Sequence, residues 1–236
     1  MVTVMDVGRL FNRRFFRNLL PFPASNHFFL GSLAPPFELL DAQTDLRIRL
    51  MDWVGTRPTD PPVQKRPVLL YFTRIFSEKV YCPLCYPHIM ELNQRYEEFA
   101  QRGAEVFLIT SIDLPQSKTV VRDLGLKMPV LSDPSCRIFR LYQVGQALGA
   151  PLPAQFWIDA KGRIRFRHLF SFLEPNASVD RLVVALDRIR SGRQPEPQSS
   201  VAPVKSDVPI KSDDIKVPGS TEMGELADVG TQVNGV

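Results

Sequence analysis

Cys82 and Cys85 stand three positions apart in Cys82-Pro83-Leu84-Cys85. Two thiols at this spacing, set between a strand and a helix, can cycle between dithiol and disulfide. The preceding run Pro67-Val68-Leu69-Leu70-Tyr71-Phe72 has the apolar character of a buried strand, and an amphipathic helix is expected from Pro83 to Phe99. The first cysteine then lies at a helix N-terminus, where unsatisfied N–H groups and the helix dipole favour a thiolate. Pro83 suits the first helical position, because its missing N–H has no partner to lose there. Cys85 lies one turn on, close enough to close a disulfide with little backbone movement. Cys82 is therefore the expected nucleophile and Cys85 the expected resolving thiol.

Composition weighs against the rival uses of such a pair. A structural zinc site needs four ligands, whereas the chain offers only Cys136 besides this pair, and His27, His88 and His168 are scattered. An inert buried pair fits a helix start beside a loop poorly. Three cysteines in 236 residues are too few and odd in number for a secreted disulfide scaffold, so a reducing compartment, the cytoplasm, is expected. A net charge of +4, without a basic stripe interleaved with aromatics, excludes nucleic acid as the expected partner. No apolar run reaches the roughly 20 residues that span a bilayer.

The elements that would position the pair follow from hydrophobic periodicity. Short strands are expected at 33–41 and 46–50, then a proline-containing loop over 56–65. Glu105–Thr110 reads as a second buried strand, Pro115–Leu124 as a helix, Met128–Leu131 as a strand and Ser135–Val144 as a short helix. Gln155–Asp159 and Ile164–His168 form a strand pair around Ala160-Lys161-Gly162, and Ser178–Ile189 is a last amphipathic helix capped by Asn176 or Ser178. This order predicts an α/β fold with a mixed sheet layered between helices. Residues 193–236, rich in Pro, Ser, Asp and Lys, are expected to form a disordered tail.

Residues 1–27 form a basic lead-in to a domain over 28–192. On a helix, Arg9, Arg13 and Arg17 share one side, and Val4, Phe11, Phe15 and Leu19 lie opposite. Such a segment, over residues 4–20, either lies peripherally on an anionic membrane or packs on the domain by its apolar face. Arg13-Arg14 resembles a twin-arginine export signal, but Pro21, Pro23, Asn26 and His27 interrupt any apolar stretch behind it. Export or organellar import ranks behind a peripheral or packing role.

Several groups of residues together resemble the peroxiredoxins of the alkyl hydroperoxide reductase C and thiol-specific antioxidant type, in a Cys-x-x-Cys branch. Gly31–Asp41 is similar to that family's G-x-x-A-P-x-F-x-L-x-D opening. The strand, loop and Cys82–Cys85 resemble its active site. Leu131-Ser132-Asp133-Pro134 with Tyr142-Gln143-Val144 resembles its later S-D-P … Y-x-V region, and Phe156–Arg165 its F-x-I-D-x-x-G-x-I-R hairpin. The resemblance spans 28–189 and implies a thioredoxin-like fold with an N-terminal β extension. It implies antioxidant thiol chemistry in cell redox homeostasis, with no bound cofactor and an external thiol donor of thioredoxin or glutathione type.

The departures bear on the substrate. The family's active-site proline falls at Ile75 and its peroxide-orienting threonine at Lys79. Arg74, Lys79 and Ser77 are the loop residues that would have to substitute, although Ser77 reads more simply as ordinary loop. The family's second arginine falls at Pro153, which instead resembles the thioredoxin proline that faces the cysteine pair. His88 could tune a thiolate but is expected to face solvent. Cys136 is either an alternative resolving thiol or a small buried apolar residue. The substrate expected from these residues is a hydroperoxide or a protein disulfide. A non-enzymatic redox sensor at a membrane surface and an inactive scaffold are the competing readings.

Overall fold

The computed structural model describes residues 12–25, 28–55 and 64–192. The first part of the basic lead-in and the tail expected over 193–236 lie outside the described residues.

A seven-stranded mixed sheet organises the domain. In chain order its strands are β1 (Glu38–Asp41), β2 (Arg47–Arg49), β3 (Val68–Phe72), β6 (Glu105–Thr110), β7 (Val130–Ser132), β10 (Ala154–Ile158) and β11 (Ile164–Leu169). Two small hairpins lie outside it: β4 (Ile75–Ser77) with β5 (Val80–Tyr81), and β8 (Gln146–Ala147) with β9 (Ala150–Pro151). The sheet order is β11-β10-β3-β6-β7-β1-β2. β3, β6 and β7 run parallel, and every residue of β3 and β6 is buried, as strands covered on both faces require. β10 and β11 complete one side in antiparallel register. The β1–β2 hairpin is the N-terminal β extension, added antiparallel to β7 at the other edge.

Helices cover both faces. One face of the sheet packs Leu69, Tyr71, Val106, Leu108 and Trp157 against α3 (Tyr86–Gln94), α4 (Tyr96–Gln101), α5 (Leu114–Leu124) and α7 (Val179–Arg190). The other packs Val68, Leu70, Phe72, Phe107 and Phe156 with α2 (Leu50–Trp53) and α6 (Arg137–Leu141). Local chemistry sets the helix ends. Asp113 caps α5 by accepting from the Gln116 N–H at 2.9 Å, and Gly125 closes it in the left-handed region at φ +57°. Ser178, rather than Asn176, caps α7.

The structure departs from the periodicity reading in three places near the thiols. The single helix expected over Pro83–Phe99 is two helices parted at Arg95, whose backbone leaves helical geometry (φ −98°, ψ 10°). The first of them starts at Tyr86, with Pro87, not Pro83, in its first turn. The stretch 74–81, read as loop, forms the β4–β5 hairpin, and the β8–β9 hairpin and α2 are also additional.

The lead-in packs on the domain through α1 (Arg13–Arg17) and the extended chain behind it. Arg14 inserts its guanidinium and donates to the carbonyls of Ile75 (3.3 Å) and Phe76, and to the Ser111 carbonyl (2.8 Å) and hydroxyl (2.9 Å). The Phe15 ring occupies the space where a Cβ on Gly149 would stand. Among the described residues no helix is long and apolar enough to cross a membrane.

Candidate active site

The site is built at the C-terminal end of β3. Thr73 prolongs the pairing with β6 by donating to the Ile109 carbonyl at 3.0 Å, and the chain then leaves the sheet at Arg74. The β4–β5 hairpin returns it, and the Cys82 N–H donates to the Arg74 carbonyl at 3.2 Å. Arg74 and Cys82 thus flank the base of one hairpin. The Cys82 carbonyl accepts from the N–H groups of Cys85 and Tyr86, both at 3.0 Å, so the first bonds of the helix ladder begin at the cysteine itself. The N–H groups of Leu84 and Cys85 also lie close enough to the Cys82 sulfur to favour its thiolate.

Both thiols are free and buried, Cys82 at 6% exposure and Cys85 at 0%. Their acidities diverge. The Cys85 thiol hydrogen-bonds to Cys82 and stabilises it as a thiolate, opposed by burial and helped by the two N–H groups and the Arg74 cation, which together draw Cys82 down to about 6. The same hydrogen bond holds the proton on Cys85, and burial pushes this thiol far above the ordinary range.

Arg74 is itself positioned from across the fold. Its Nη2 donates to the carbonyls of Ala147 (2.5 Å) and Leu148 (3.3 Å), and its guanidinium lies 4.9 Å from the Phe76 ring centroid. Its Nε is buried without a hydrogen-bond partner. The β8–β9 hairpin that supplies those carbonyls is in turn fastened to the N-terminal strap: Phe22 and Gln146 exchange two backbone bonds of 2.8 Å, and Leu148 and Gly149 donate to the carbonyls of Leu19 and Asn18. Arg14 grips the other side of Arg74, through Ile75 and Phe76.

Pro153 is buried and immediately precedes β10. Since Ala154 pairs with Phe72, continuing the register sets Pro153 opposite Thr73, at the strand end that leads to Cys82. Lys79 is placed otherwise than expected. It is exposed in the turn of the β4–β5 hairpin, at the end away from Cys82, because the register Ile75–Tyr81 and Ser77–Val80 points that turn outward. Ser77 is buried, and its hydroxyl accepts from the Lys79 N–H at 3.4 Å. His88 also corrects the expectation of a solvent-facing residue. It is buried, its Nε2 lies 2.7 Å from the Ala177 carbonyl, and burial lowers its pKa, which keeps it neutral. Cys136 belongs to the core on the opposite face of the sheet from Cys82 and Cys85, so the fold does not bring it to them. Burial raises its thiol.

Sequence reasoning passed over three residues that the structure brings to this end of β3. Tyr71 and Thr73 point to the same face as the dithiol, and neither hydroxyl makes a hydrogen bond of ordinary geometry. Both lie inside the strand pattern, where a tyrosine and a threonine read as β formers. Arg14 had a visible signal: it is the arginine that falls off the Arg9, Arg13, Arg17 stripe.

Comparison with known proteins agrees with this architecture. Residues 30–167 match the AhpC/TSA family. A thiol-disulfide oxidoreductase ResA from Bacillus anthracis is 29% identical over 85 residues, which is 36% of this chain. The chain spans about half the length, 46%, of that curated relative. Among solved structures, reduced 2-Cys peroxiredoxin of Plasmodium vivax superposes with a TM-score of 0.56 at 22% identity, over 69% of this chain and 82% of that one. AhpC of Enterococcus faecalis gives 0.57 at 17% identity, over 72% and 99%. At these identities the two structures establish the fold.

Proposed function

Because the chain belongs to the AhpC/TSA family of thiol oxidoreductases, we propose that it reduces hydroperoxides or disulfides through a reversible Cys82–Cys85 disulfide. The observation that carries this reading is the pair of free, buried thiols set together where the chain leaves β3 for α3, with Cys82 the more acidic. Cys82 is a thiolate at neutral pH and can attack. Cys85 keeps its proton until Cys82 has reacted, and then closes the bridge.

With a disulfide substrate, the Cys82 thiolate attacks one sulfur and expels the other as a thiolate. Cys85, losing its proton, attacks Cys82 in the mixed disulfide and releases the second substrate thiol. With a hydroperoxide, Cys82 attacks the terminal oxygen, the alcohol leaves after protonation, and the resulting sulfenic acid condenses with Cys85 to give a disulfide and water. Either cycle ends with an external thiol donor returning two electrons. The disulfide cycle is supported by the Cys-x-x-Cys spacing and by the name of the ResA relative. The hydroperoxide cycle is supported by Thr73 and Arg74, whose hydroxyl and Nε are buried at the strand end beside Cys82 without a hydrogen bond of ordinary geometry. These are polar groups suited to a small oxygen ligand at a nucleophile only 6% exposed. Pro153 is the substrate-facing wall in this reading, Arg74 the cation, and Lys79 has no part.

The test is stopped-flow reaction of the reduced protein with hydrogen peroxide and, separately, with glutathione disulfide, beside Cys82→Ser. Reaction far faster than free cysteine, lost in the variant and ending in a Cys82–Cys85 bridge by mass spectrometry, is the expected result. Rates no faster than free cysteine with both oxidants would refute it. A reducing compartment such as the cytoplasm suits a cycle that draws on an external thiol donor. The packed strap supports the packing role for the lead-in over the peripheral membrane role, which would have to use its exposed Phe16 and Leu20.

A further inference from the structure

The Cys82–Cys85 cycle leaves one step without an assigned partner. Each time the bridge is made or broken, Cys85 passes through a thiolate. When a donor thiolate attacks Cys82 in the oxidised protein, the Cys82–Cys85 bond breaks and its electron pair leaves on the Cys85 sulfur. A new bond joins Cys82 to the donor. In the opposite direction Cys85 must surrender its proton before it attacks. Cys85 is fully buried, and burial alone penalises that charge heavily. Cys82 cannot offset it, because in both directions Cys82 is then bonded to another sulfur or, as a sulfenic acid, to oxygen.

The Arg74 backbone N–H and cation favour a Cys85 thiolate but do not outweigh its burial, and the fold supplies one further side chain suited to the task. Tyr71 lies on β3, packed in the same core cluster as Cys82, Cys85 and Ile89. Its ring meets the ring of His88 edge to face at 5.0 Å, and His88 lies one helical turn beyond Cys85 on α3. Its hydroxyl is completely buried and faces the Thr73 hydroxyl, without a hydrogen bond of ordinary geometry. A buried phenol without a well-formed hydrogen bond is costly. Thr73, the next residue on this face of β3, also has a buried hydroxyl without a hydrogen bond of ordinary geometry. The charged and titratable groups around this space are the two cysteines, Arg74 and the neutral His88. Arg74 is held by the Ala147 and Leu148 carbonyls, and its charge acts on both cysteines.

We propose that the Tyr71 hydroxyl is the hydrogen-bond donor that receives the Cys85 thiolate during disulfide exchange. The phenol never ionises, since burial and then the neighbouring Cys85 charge raise it well above its ordinary value. It therefore acts as a donor only. In the reduced resting state the charge lies on Cys82, which takes its hydrogen bond from the Cys85 thiol, and the phenol faces the Thr73 hydroxyl without a hydrogen bond of ordinary geometry. The inference rests on the dithiol reading and deepens it, by assigning the residue that makes the second thiol a workable leaving group.

An interaction formed only in the transition state changes rates and leaves equilibria alone. Tyr71→Phe removes one oxygen that makes no hydrogen bond of ordinary geometry at rest. The expected result is that reduction of the oxidised protein by dithiothreitol slows by roughly tenfold to a hundredfold, as for a lost hydrogen bond to a charged group. The reduction potential and the pH titration of Cys82 stay as in the wild type. A merely structural role would move all three. Placing 3,5-difluorotyrosine at position 71 strengthens the donor without altering the packing of the ring, and is expected to accelerate the same step. This second variant keeps the test decisive should Tyr71→Phe fold poorly. An unchanged rate in either variant would overturn the assignment. If instead the wild type forms no Cys82–Cys85 bridge, the dithiol reading fails first and takes this inference with it.

Discussion

The thiol of Cys85 donates its hydrogen bond to Cys82, and this contact sets the two cysteines on opposite sides of neutral pH. The relationship is directional: the proton belongs to the buried residue, and the charge to the residue nearer the helix N-terminus. A consequence is a simple pH profile. Alkylation of the reduced protein by iodoacetamide is expected to rise through a midpoint of about 6, with Cys82 the residue modified. Below that pH the thiol is protonated and unreactive, and above it the thiolate fraction saturates. Thiolate absorbance at 240 nm in wild type against Cys82→Ser measures the same titration. A midpoint in the ordinary thiol range, about 8.5, would contradict the geometry.

Cys85→Ala removes the largest contribution to that acidity. The midpoint for Cys82 should move from about 6 toward the ordinary 8.5, which at pH 7 cuts the thiolate fraction from about nine-tenths to a few per cent. Absolute rates are a poorer guide, because a thiolate of higher pKa is intrinsically more nucleophilic. The pH at half-maximal alkylation is the quantity to compare. The variant should also stop at a sulfenic acid or mixed disulfide that mass spectrometry can trap.

Much of this site was legible in the sequence, for physical reasons that are local. The run Val68–Phe72 is apolar because β3 is covered on both faces, and the spacing of Cys82 and Cys85 is a property of one helical turn. What sequence could not convey depends on pairing across the chain. Lys79 sits at the position where the resemblance demanded a hydroxyl, yet the hairpin register carries it outward. His88 falls on a helix face that reads as polar, yet the loop ending at Ala177 covers it. Arg14 looked like one charge among four until the hairpin carbonyls that it satisfies were brought to it over about 60 residues of chain. Asp133 shows the same limit: as part of a short motif it suggested family, but its work is to accept from the N–H groups of Arg137 (3.1 Å) and Ile138 (2.7 Å) at the start of α6.

The two cations considered for the active site should separate cleanly. Arg74→Leu removes a charge that favours the Cys82 thiolate, so the alkylation midpoint is expected to rise. Lys79→Ala, at an exposed turn, is expected to leave the midpoint within about 0.3 pH units, the size of an exposed charge effect. The reverse ranking would mean that the hairpin folds back over the thiols in solution.

The N-terminal strap should behave as part of the active-site scaffold rather than as an appendage. Arg14→Met leaves the carbonyls of Ile75 and Phe76 and the Ser111 hydroxyl short of a donor. A loss of about 2 kcal/mol is expected, or a Tm lower by roughly 4–8 °C for a domain of this size. Gly149→Ala attacks the same joint from the other side. Gly149 holds φ +83°, and a Cβ there would run into the Phe15 ring, so the ring must leave its seat. Because the strap fastens the hairpin whose Ala147 and Leu148 carbonyls hold Arg74, freeing it should also loosen Arg74 from Cys82. Limited proteolysis within residues 12–25 should therefore accelerate in Gly149→Ala, and the Cys82 titration midpoint should rise in the same variant. Faster cleavage with an unmoved midpoint would show that the strap stabilises the domain without setting the chemistry of its thiol.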